Sequence, residues 1–271
     1  MGKIIAVTNQ KGGVGKTTTA INLSAALAMR GMKILTIDFD PQGNASSGLG
    51  INKEEIEYST YDLILDNCEI EECMVETEIK GLFVLPSSVD LAAAEIELIG
   101  VESKEYILKK KVENIQSFFD YIIIDCPPSL NTLTINALTT ASDVLVPIQC
   151  EFYALEGLSQ LMHTIDLVKN RLNENLKLMG IVFTMFDVRT NLSAQVVENV
   201  KENVDSKIYG SVIPRNVRLA EAPSYGKPIA LYDPKSAGAR AYEDLAEEIL
   251  DEDGLGNIQN EIVIKSNKKK K

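Results

Sequence analysis

A glycine-rich segment near the start of the chain limits the possible folds more than any other feature of the sequence. Residues 11–18 have the sequence KGGVGKTT, and they lie between a short β-branched run at residues 3–8 and a helical pattern at residues 17–30. This spacing predicts a phosphate-binding loop, because glycines let the backbone curl until its N–H groups point at phosphate oxygens. The helix dipole adds to the attraction for an anion. The segment therefore predicts a nucleotide-binding domain that begins with a strand, a loop and a helix.

The individual positions of this loop have expected contacts with ATP and its Mg²⁺ ion. Lys16 would reach the β- and γ-phosphates, and the Thr17 hydroxyl would ligate Mg²⁺. The other loop residues expected to contact ATP are Lys11, Gly12, Gly13, Val14, Gly15 and Thr18. The pattern departs from the ordinary loop at Gln10, where glycine is usual, and in the additional lysine that follows it.

Further buried strands are predicted where apolar, β-branched runs recur along the chain. These runs lie at residues 33–38, 82–85, 121–125, 143–148 and 178–185, with a short one at 211–213. They alternate with amphipathic segments such as residues 155–172 and 237–250, which indicates a mainly parallel sheet covered by helices. We therefore expect an α/β fold with a doubly wound sheet, formed by a single P-loop NTPase domain at residues 1–253. A flexible, lysine-rich tail is expected at residues 254–271.

The loop sequence KGGVGKTT resembles the deviant Walker A signature of the ParA/MinD group of ATPases. Its surroundings resemble the chromosome-partitioning ATPases ParA and Soj within that group. The similarity extends through residues 7–27, 38–50, 121–137, 149–160 and 213–232, and so over nearly the whole chain before the tail. The resemblance implies a Mg²⁺-dependent ATPase of slow turnover that acts as a switch in DNA partitioning.

Three aspartates stand at the ends of predicted strands. Asp38 and Asp40 follow the second strand and Asp125 ends the fourth, and ligands bind at the carboxyl edge of an open α/β sheet. Asp125 has the Walker B arrangement, which predicts a Mg²⁺ contact through water. The resemblance implies that Asp40 positions the attacking water and that Asp38 lies nearer the Mg²⁺ shell. The alternative role for Asp38, and less so for Asp40, is a cap on the turn before Pro41.

The resemblance also implies roles for the additional lysine and for a segment near the adenine base. In the family, the lysine that matches Lys11 reaches across a dimer interface to the partner's nucleotide, so ATP binding would control formation of a homodimer. A solvated Lys11 that only tunes its own loop is the alternative. Pro214 and Asn216 match the region that lies against the adenine. The residues expected to act in catalysis are Lys11, Lys16 and Asp40.

The charge of the chain gives an ambiguous indication of its partners. With 27 Lys and Arg residues against 39 Asp and Glu residues, the formal net charge of -12 argues against an anionic partner. The acidity is regional, however, because residues 54–113 contain 16 acidic residues and five lysines, whereas residues 206–240 contain six basic and two acidic residues. By resemblance, Arg189 and Arg218 match positions that bind DNA phosphates without sequence preference. The further candidates are Arg215, Lys201 and Lys227. The alternative for each is a solvated surface charge.

The resemblance allows two kinds of bound surface. ParA-like members bind nonspecific double-stranded DNA and respond to a ParB-like partner, whereas MinD-like members bind the membrane through a C-terminal amphipathic helix. Residues 257–264 alternate polar with apolar side chains and lack a helical apolar face, so membrane attachment is not expected. The four cysteines lack metal-ligand spacing, so the sequence predicts a cytoplasmic protein with reduced thiols, and the resemblance implies that it associates with the nucleoid. The alternatives are a MinD-like division-site regulator and a metabolic P-loop enzyme that activates a small acid.

Overall fold

The computed structural model describes residues 2–151, 154–204 and 206–256. Within these ranges the chain forms one seven-stranded sheet with helices on both faces, which confirms the predicted α/β fold. The expected tail lies outside the described residues from residue 257 onward. Among the described helices, none combines the length and the apolar composition needed to span a membrane.

The strands of the sheet are mostly buried on both sides. They are β1 (Lys3–Val7), β2 (Ile34–Asp38), β3 (Val75–Glu76), β4 (Leu82–Leu85), β5 (Tyr121–Asp125), β6 (Asp143–Gln149) and β7 (Lys177–Thr184). Their spatial order is β3-β4-β2-β5-β1-β6-β7, and each neighbouring pair is parallel except β3 with β4. Parallel strands need crossover helices that cover both faces, which explains their nearly continuous apolar sequences.

Helices cover both faces of this sheet. They are α1 (Lys16–Met29), α2 (Asn44–Gly48), α3 (Thr60–Ile64), α4 (Ile70–Cys73), α5 (Leu91–Glu97), α6 (Ile107–Glu113), α7 (Thr132–Thr140), α8 (Ala154–Arg171), α9 (Asn191–Asn203), α10 (Val217–Glu221), α11 (Ile229–Tyr232) and α12 (Ala237–Glu252). On one face, α1 and α12 form a core that contains Leu23 and Leu245. On the other face, α7 and α8 form a second core that contains Leu133 and Leu161.

The structure differs from the prediction at residues 211–213, which do not form a strand. The N–H groups of Gly210 and Ser211 donate to the Glu248 carboxylate at 2.9 and 2.6 Å, so they are not free for a β-ladder. This part of the chain instead makes single bridges, from Ile208 to Ile181 and from Pro214 to Phe186. The sequence also did not predict β3, because a two-residue strand is too short to show a period.

The strand order creates a crevice at the carboxyl edge of the sheet. Strand β1 lies between β5 and β6, and the central strand β5 also pairs with β2. The register aligns Asp38 at the end of β2 with Asp125 at the end of β5, and Val7 at the end of β1 with the same aspartate. The loops after β1, β2 and β5 therefore converge on one site.

Candidate active site

The phosphate loop lies between β1 and the first turn of α1. Gly13 and Gly15 have φ angles of 74° and 88°, in the left-handed region that favours glycine, and Gly15 is the N-cap of α1. At the end of β7, the Thr184 hydroxyl donates to Val14 O at 2.7 Å and ties the loop to the sheet. The loop and the start of α1 line a pocket of about 400 Å³. The glycine spacing thus produces the curled backbone and exposed helix start that bind an anion.

Lys16 lies inside this loop. Its Nζ donates to Lys11 O at 3.0 Å, and only 6% of the residue is exposed. Burial lowers the pKa of the ammonium group, and the negative charge of Asp125 acts in the opposite direction. The ammonium is therefore desolvated and close to carboxylates, in a position where phosphate oxygens can replace the loop carbonyl as its acceptor.

The two strand-end aspartates differ in their hydrogen bonds, although both are fully buried. Asp38 Oδ2 accepts from Ser46 N at 2.7 Å and from Ser46 Oγ at 2.6 Å, while burial raises the pKa of this carboxyl to about 6. Neither oxygen of Asp125 has a hydrogen-bond partner among the described residues. Burial and the neighbouring Asp38 raise the pKa of Asp125 well above its usual value, and the Thr17 hydroxyl and Lys16 oppose that shift.

The orphaned carboxylate of Asp125 fits a magnesium site completed by a nucleotide. An ionised, unpartnered carboxylate in the interior is strongly destabilising unless a cation or a donor compensates it. The described residues contain no cluster of three His, Cys, Asp or Glu side chains that could hold a metal by itself. Mg²⁺ suits such a place, because it is usually held by one or two carboxylates together with substrate phosphates and water. Thr17, which lines the phosphate pocket, offers a hydroxyl for the same ion.

Exchange of Asp125 for asparagine is expected to stabilise the ligand-free protein and to inactivate it. Removing the buried charge beside Asp38 should raise the free energy of unfolding by about 1–2 kcal/mol, measured by urea denaturation at pH 7 without nucleotide. If Asp125 holds the cation, as its Walker B arrangement predicts, ATP hydrolysis should fall at least about 100-fold in the variant. Asp166→Asn, an exposed change on α8, is the matched control. A less stable Asp125→Asn protein would contradict the assignment of Asp125 as a destabilising buried carboxylate.

Asp40 lies in the wall of the phosphate pocket, in the loop that follows β2. Only 8% of the residue is exposed, and its Oδ1 accepts from Gln42 N at 3.0 Å. Gly43 N donates to its main-chain oxygen at 2.9 Å, so the turn fixes both the backbone and the carboxylate. The structure thus brings a fixed carboxylate into the same pocket as Lys16.

A second, mostly apolar pocket of about 340 Å³ adjoins the phosphate pocket. Pro214 and Asn216 line it, as does Thr18 from the phosphate loop, so the structure brings these predicted residues together. The Asn216 side-chain oxygen is already occupied, since it accepts from Arg218 N at 2.8 Å as the cap of α10. Sequence reasoning missed Met185, which lines both pockets with a φ of 50°, unusual for a residue with a side chain.

Lys11 contacts a residue that sequence reasoning also missed. Its Nζ forms a 2.7 Å ion pair with Glu151 Oε2, in the segment after β6, and both side chains are about a third or more exposed. Asn9 Oδ1 accepts from Lys11 N at 3.0 Å, which fixes the start of the loop. Within one chain, the ammonium of Lys11 is therefore paired at the surface rather than free in solvent.

The predicted DNA-binding residues are only partly clustered. Arg215 N donates to Phe186 O at 2.9 Å, which joins the loop that contains Arg189 to the segment that contains Arg215 and Arg218. Arg189 is 82% exposed in its side chain, and its guanidinium forms two bonds to Asp187, at 2.8 and 2.7 Å.

The remaining candidates lie apart from this cluster. Lys201 is exposed on α9, ten residues after Asn191 at the start of that helix. At the helical rise per residue, the two positions are roughly 15 Å apart. Lys227 lies 3.9 Å from Glu78, beyond the strand β3 at the opposite edge of the sheet. We therefore define the basic loop cluster as Arg189, Arg215 and Arg218.

Known proteins resemble this chain over most of its length. A protein-family model described as an AAA domain matches residues 2–178. The sporulation initiation inhibitor protein Soj of Bacillus subtilis is 56% identical over 249 residues, which cover 92% of this chain and 98% of that protein. The chromosome partitioning protein ParA of Myxococcus xanthus is 52% identical over 253 residues, covering 93% and 89%. Cobyrinic acid a,c-diamide synthase from Mycobacterium smegmatis, solved with an ATP analog and magnesium, has a TM-score of 0.82 at 38% identity, covering 92% and 95%.

Proposed function

The chain belongs to the ParA/Soj family of chromosome-partitioning ATPases, and on that basis we propose that it is an ATP-controlled switch that partitions DNA. It binds ATP and Mg²⁺. In the proposed cycle, two ATP-bound chains pair, and the pair binds double-stranded DNA without sequence preference. A ParB-like partner then stimulates hydrolysis, which releases the DNA.

The observation that supports the proposal most directly is the position of Asp125 beside the phosphate loop. An anion-binding loop and a buried carboxylate whose oxygens accept no hydrogen bond from the described residues are each incomplete alone, and a triphosphate with its cation satisfies both. Thr17 and Asp125 would hold Mg²⁺, with Asp38 fixed behind them by Ser46. The ion would neutralise charge on the phosphates. Lys16 binds the β- and γ-phosphates, and Asp40 orients the attacking water.

Dimerisation is proposed to depend on Lys11. The Lys11 side chain is about a third exposed, so it can reach a second chain once it leaves Glu151, whereas Lys16 is buried. In the proposed dimer it leaves Glu151 and binds the phosphates of the nucleotide in the other chain. ATP then acts as part of the interface, so that its hydrolysis weakens the dimer.

DNA binding is proposed to use the basic loop cluster. Arg189 and Arg215 lie on loops that follow the edge strand β7, and Arg218 lies on α10, where its guanidinium pairs with Glu221 at 2.9 Å. A single cluster is too small to hold DNA against a net charge of -12, but pairing two chains doubles the number of phosphate contacts. This doubling gives a physical reason for an ATP-dependent affinity.

The double exchange Arg189→Glu with Arg218→Glu tests this assignment. The variant should form ATP-dependent dimers normally but bind DNA at least about tenfold more weakly, because four phosphate contacts per dimer are lost. The slope of log affinity against log salt should become shallower by roughly three to four. Fluorescence anisotropy with labelled duplexes of two unrelated sequences measures both quantities. Equal DNA binding by the native protein with ADP and with ATP would contradict the switch itself.

Asp187→Asn should have the opposite effect on DNA binding. In the native protein the Asp187 carboxylate accepts two bonds from the Arg189 guanidinium, and this pairing holds the pKa of Asp187 well below its usual range. An amide of the same shape keeps the bond to Arg189 N but releases the guanidinium for phosphate, so affinity should rise about two- to fivefold. Asp166→Asn changes the net charge equally and serves as the control. An unchanged affinity for Asp187→Asn alone would remove Arg189 from the DNA contact.

One comparison of rates separates the proposal from its rivals. ATP hydrolysis should increase with DNA and partner protein, and remain at its basal level with anionic liposomes. Stimulation by liposomes would support a MinD-like membrane regulator instead, and stimulation by a small carboxylic acid would support a metabolic enzyme. The chromosome partitioning protein ParA of Myxococcus xanthus is 52% identical to this chain, whereas the synthase is 38% identical.

A further inference from the structure

The short helix α5 has two apolar faces, and only one of them is covered. Its inner face packs into the core through Leu91, Ala94 and Leu98, which are at most 3% exposed. On the other side, Val89, Ile96 and Ile99 are 72–73% exposed, and Ala92 between them is also exposed. We call these four residues the outer stripe.

The outer stripe has the geometry of a helix-docking surface. Positions 89, 92, 96 and 99 follow helical spacing, so their side chains lie in one row. Turns extend the row beyond both ends of α5, through bonds from Ala92 N to Val89 O at 3.2 Å and from Ile99 N to Ile96 O at 3.0 Å. Single exposed apolar residues are ordinary on protein surfaces, but a contiguous row marks an interaction site.

The charged residues in the segment that contains the outer stripe are all acidic. Asp90, Glu97 and Glu102 are exposed beside it, and Glu95 is half-buried. The sequence has no lysine or arginine between Lys80 and Lys104. A partner for this surface therefore needs an apolar row flanked by positive charges, which is the pattern of a cationic amphipathic helix.

The same helix contacts the loop that leads to the active site. The Asn131 side-chain amide donates to Glu95, and its oxygen accepts from Thr134 N at 3.0 Å as the cap of α7. The segment from Asp125 to Asn131 includes Pro128, which lines the phosphate pocket. A molecule bound to the outer stripe would thus press on a helix that is hydrogen-bonded to the loop after Asp125.

From these observations we propose that the outer stripe is the docking surface for a cationic amphipathic helix of a partner protein. The link to hydrolysis rests on the proposed function, because it assigns a surface to the partner that stimulates the ATPase. The docking itself rests only on the exposed row and its acidic border. Helix-on-helix packing along α5 places the partner's lysines or arginines against Asp90, Glu97 and Glu102.

The docking is tested with the full-length protein and a labelled synthetic peptide. The peptide consists of leucine and lysine, is about 18 residues long, and has its leucines on one helical face. Ile96→Ser with Ile99→Ser should weaken peptide binding at least tenfold in an anisotropy titration. Phe118→Ser should leave peptide binding unchanged, because Phe118 is 61% exposed and lies outside the outer stripe. A peptide of the same composition with scattered leucines should also bind at least tenfold more weakly. Equal binding by the stripe variant, or by the scattered peptide, would overturn the proposal.

Two further readouts distinguish partner docking from self-association and from a loss of folding. Thermal unfolding of the stripe variant should match that of the native protein, because both isoleucines are exposed. If the variant lost self-association instead of peptide binding, the occupant would be a second copy of this chain and the proposal would be wrong. In ATPase assays with DNA, the peptide should stimulate the native protein and not the variant, with equal basal rates. Stripe-dependent binding without stimulation would retain the docking surface and contradict the partner-stimulated cycle.

Discussion

Asp40→Ala should leave ATP binding intact and slow ATP hydrolysis at least about 100-fold, the usual loss when a group that orients or activates the nucleophile is removed. Asp40 is held in the wall of the phosphate pocket by Gln42 N and by its own turn, so its carboxylate is fixed before the nucleotide arrives. Alanine removes the carboxylate but retains the main-chain bond to Gly43, so the turn should persist. In the proposed cycle, the variant accumulates as an ATP-bound dimer on DNA.

The measurement is the rate of release from labelled DNA after a chase with unlabelled duplex, in parallel with phosphate production. Native protein with the stimulating partner should dissociate as it hydrolyses ATP, and Asp40→Ala should remain bound over many native turnover times. Asp166→Ala removes an exposed carboxylate on α8 and is expected to behave as the native protein. Release of the Asp40 variant at the native rate would show that another residue orients the water.

Most of the sheet is predictable because burial on both faces leaves a simple signal. The run at residues 121–125 matches β5 without error, and the run at 178–185 matches β7 within one residue at each end. A strand buried on both sides needs no alternation, so its length and β-branched content are enough. The prediction was wrong at residues 211–213, because Glu248 on α12, far along the chain, takes the N–H groups that a strand would use.

In the active site too, features set by the local sequence could be predicted, and features set by contacts between distant residues could not. Parallel strands end at one edge of a sheet, which is why Asp38 and Asp125 could be placed together from sequence alone. Asp38 has hydrogen-bond donors and Asp125 has none among the described residues, because α2 places Ser46 against Asp38. No rule of sequence spacing predicts that contact. Two further features arise only from the tertiary structure. They are the left-handed backbone of Met185 and the ion pair of Lys11 with Glu151, 140 residues later in the chain.

The structure also explains how a chain with excess acid can be proposed to bind DNA. Residues 54–113 include β3 and β4, at one edge of the sheet, together with the outer stripe. The loop with Arg189 follows β7, at the opposite edge. Arg189 and the acidic residues that flank β3 are therefore separated across the width of the sheet, by more than the roughly 8 Å over which physiological salt screens them. The net charge of the whole chain therefore does not describe the local charge at either edge. The acidic edge is suited to a cationic partner, and the edge with Arg189 is suited to DNA.

Lys11→Ala should abolish ATP-dependent dimerisation while leaving ATP binding within a single chain nearly unchanged. If each Lys11 binds phosphate across the interface, a dimer loses two charge-assisted contacts, each contributing roughly 1.5–3 kcal/mol, so dimerisation weakens at least about 100-fold. Lys16 and the backbone of the loop still hold the nucleotide. Sedimentation equilibrium with ATP measures the dimer constant, and Lys169→Ala, an exposed change on α8, controls for the lost charge.

Glu151→Gln should shift the same equilibrium in the other direction. Lys11 must leave its ion pair with Glu151 before it reaches a second chain, so that pair stabilises the monomer. A partly exposed ion pair contributes little, and its removal should strengthen dimerisation only about two- to fivefold. The signs of the two changes are what matter, because a lysine that only tunes its own loop would make Glu151→Gln neutral for dimerisation. Opposite shifts for Lys11→Ala and Glu151→Gln at equal ATP affinity would mean that one ammonium alternates between an acid of its own chain and the nucleotide of another.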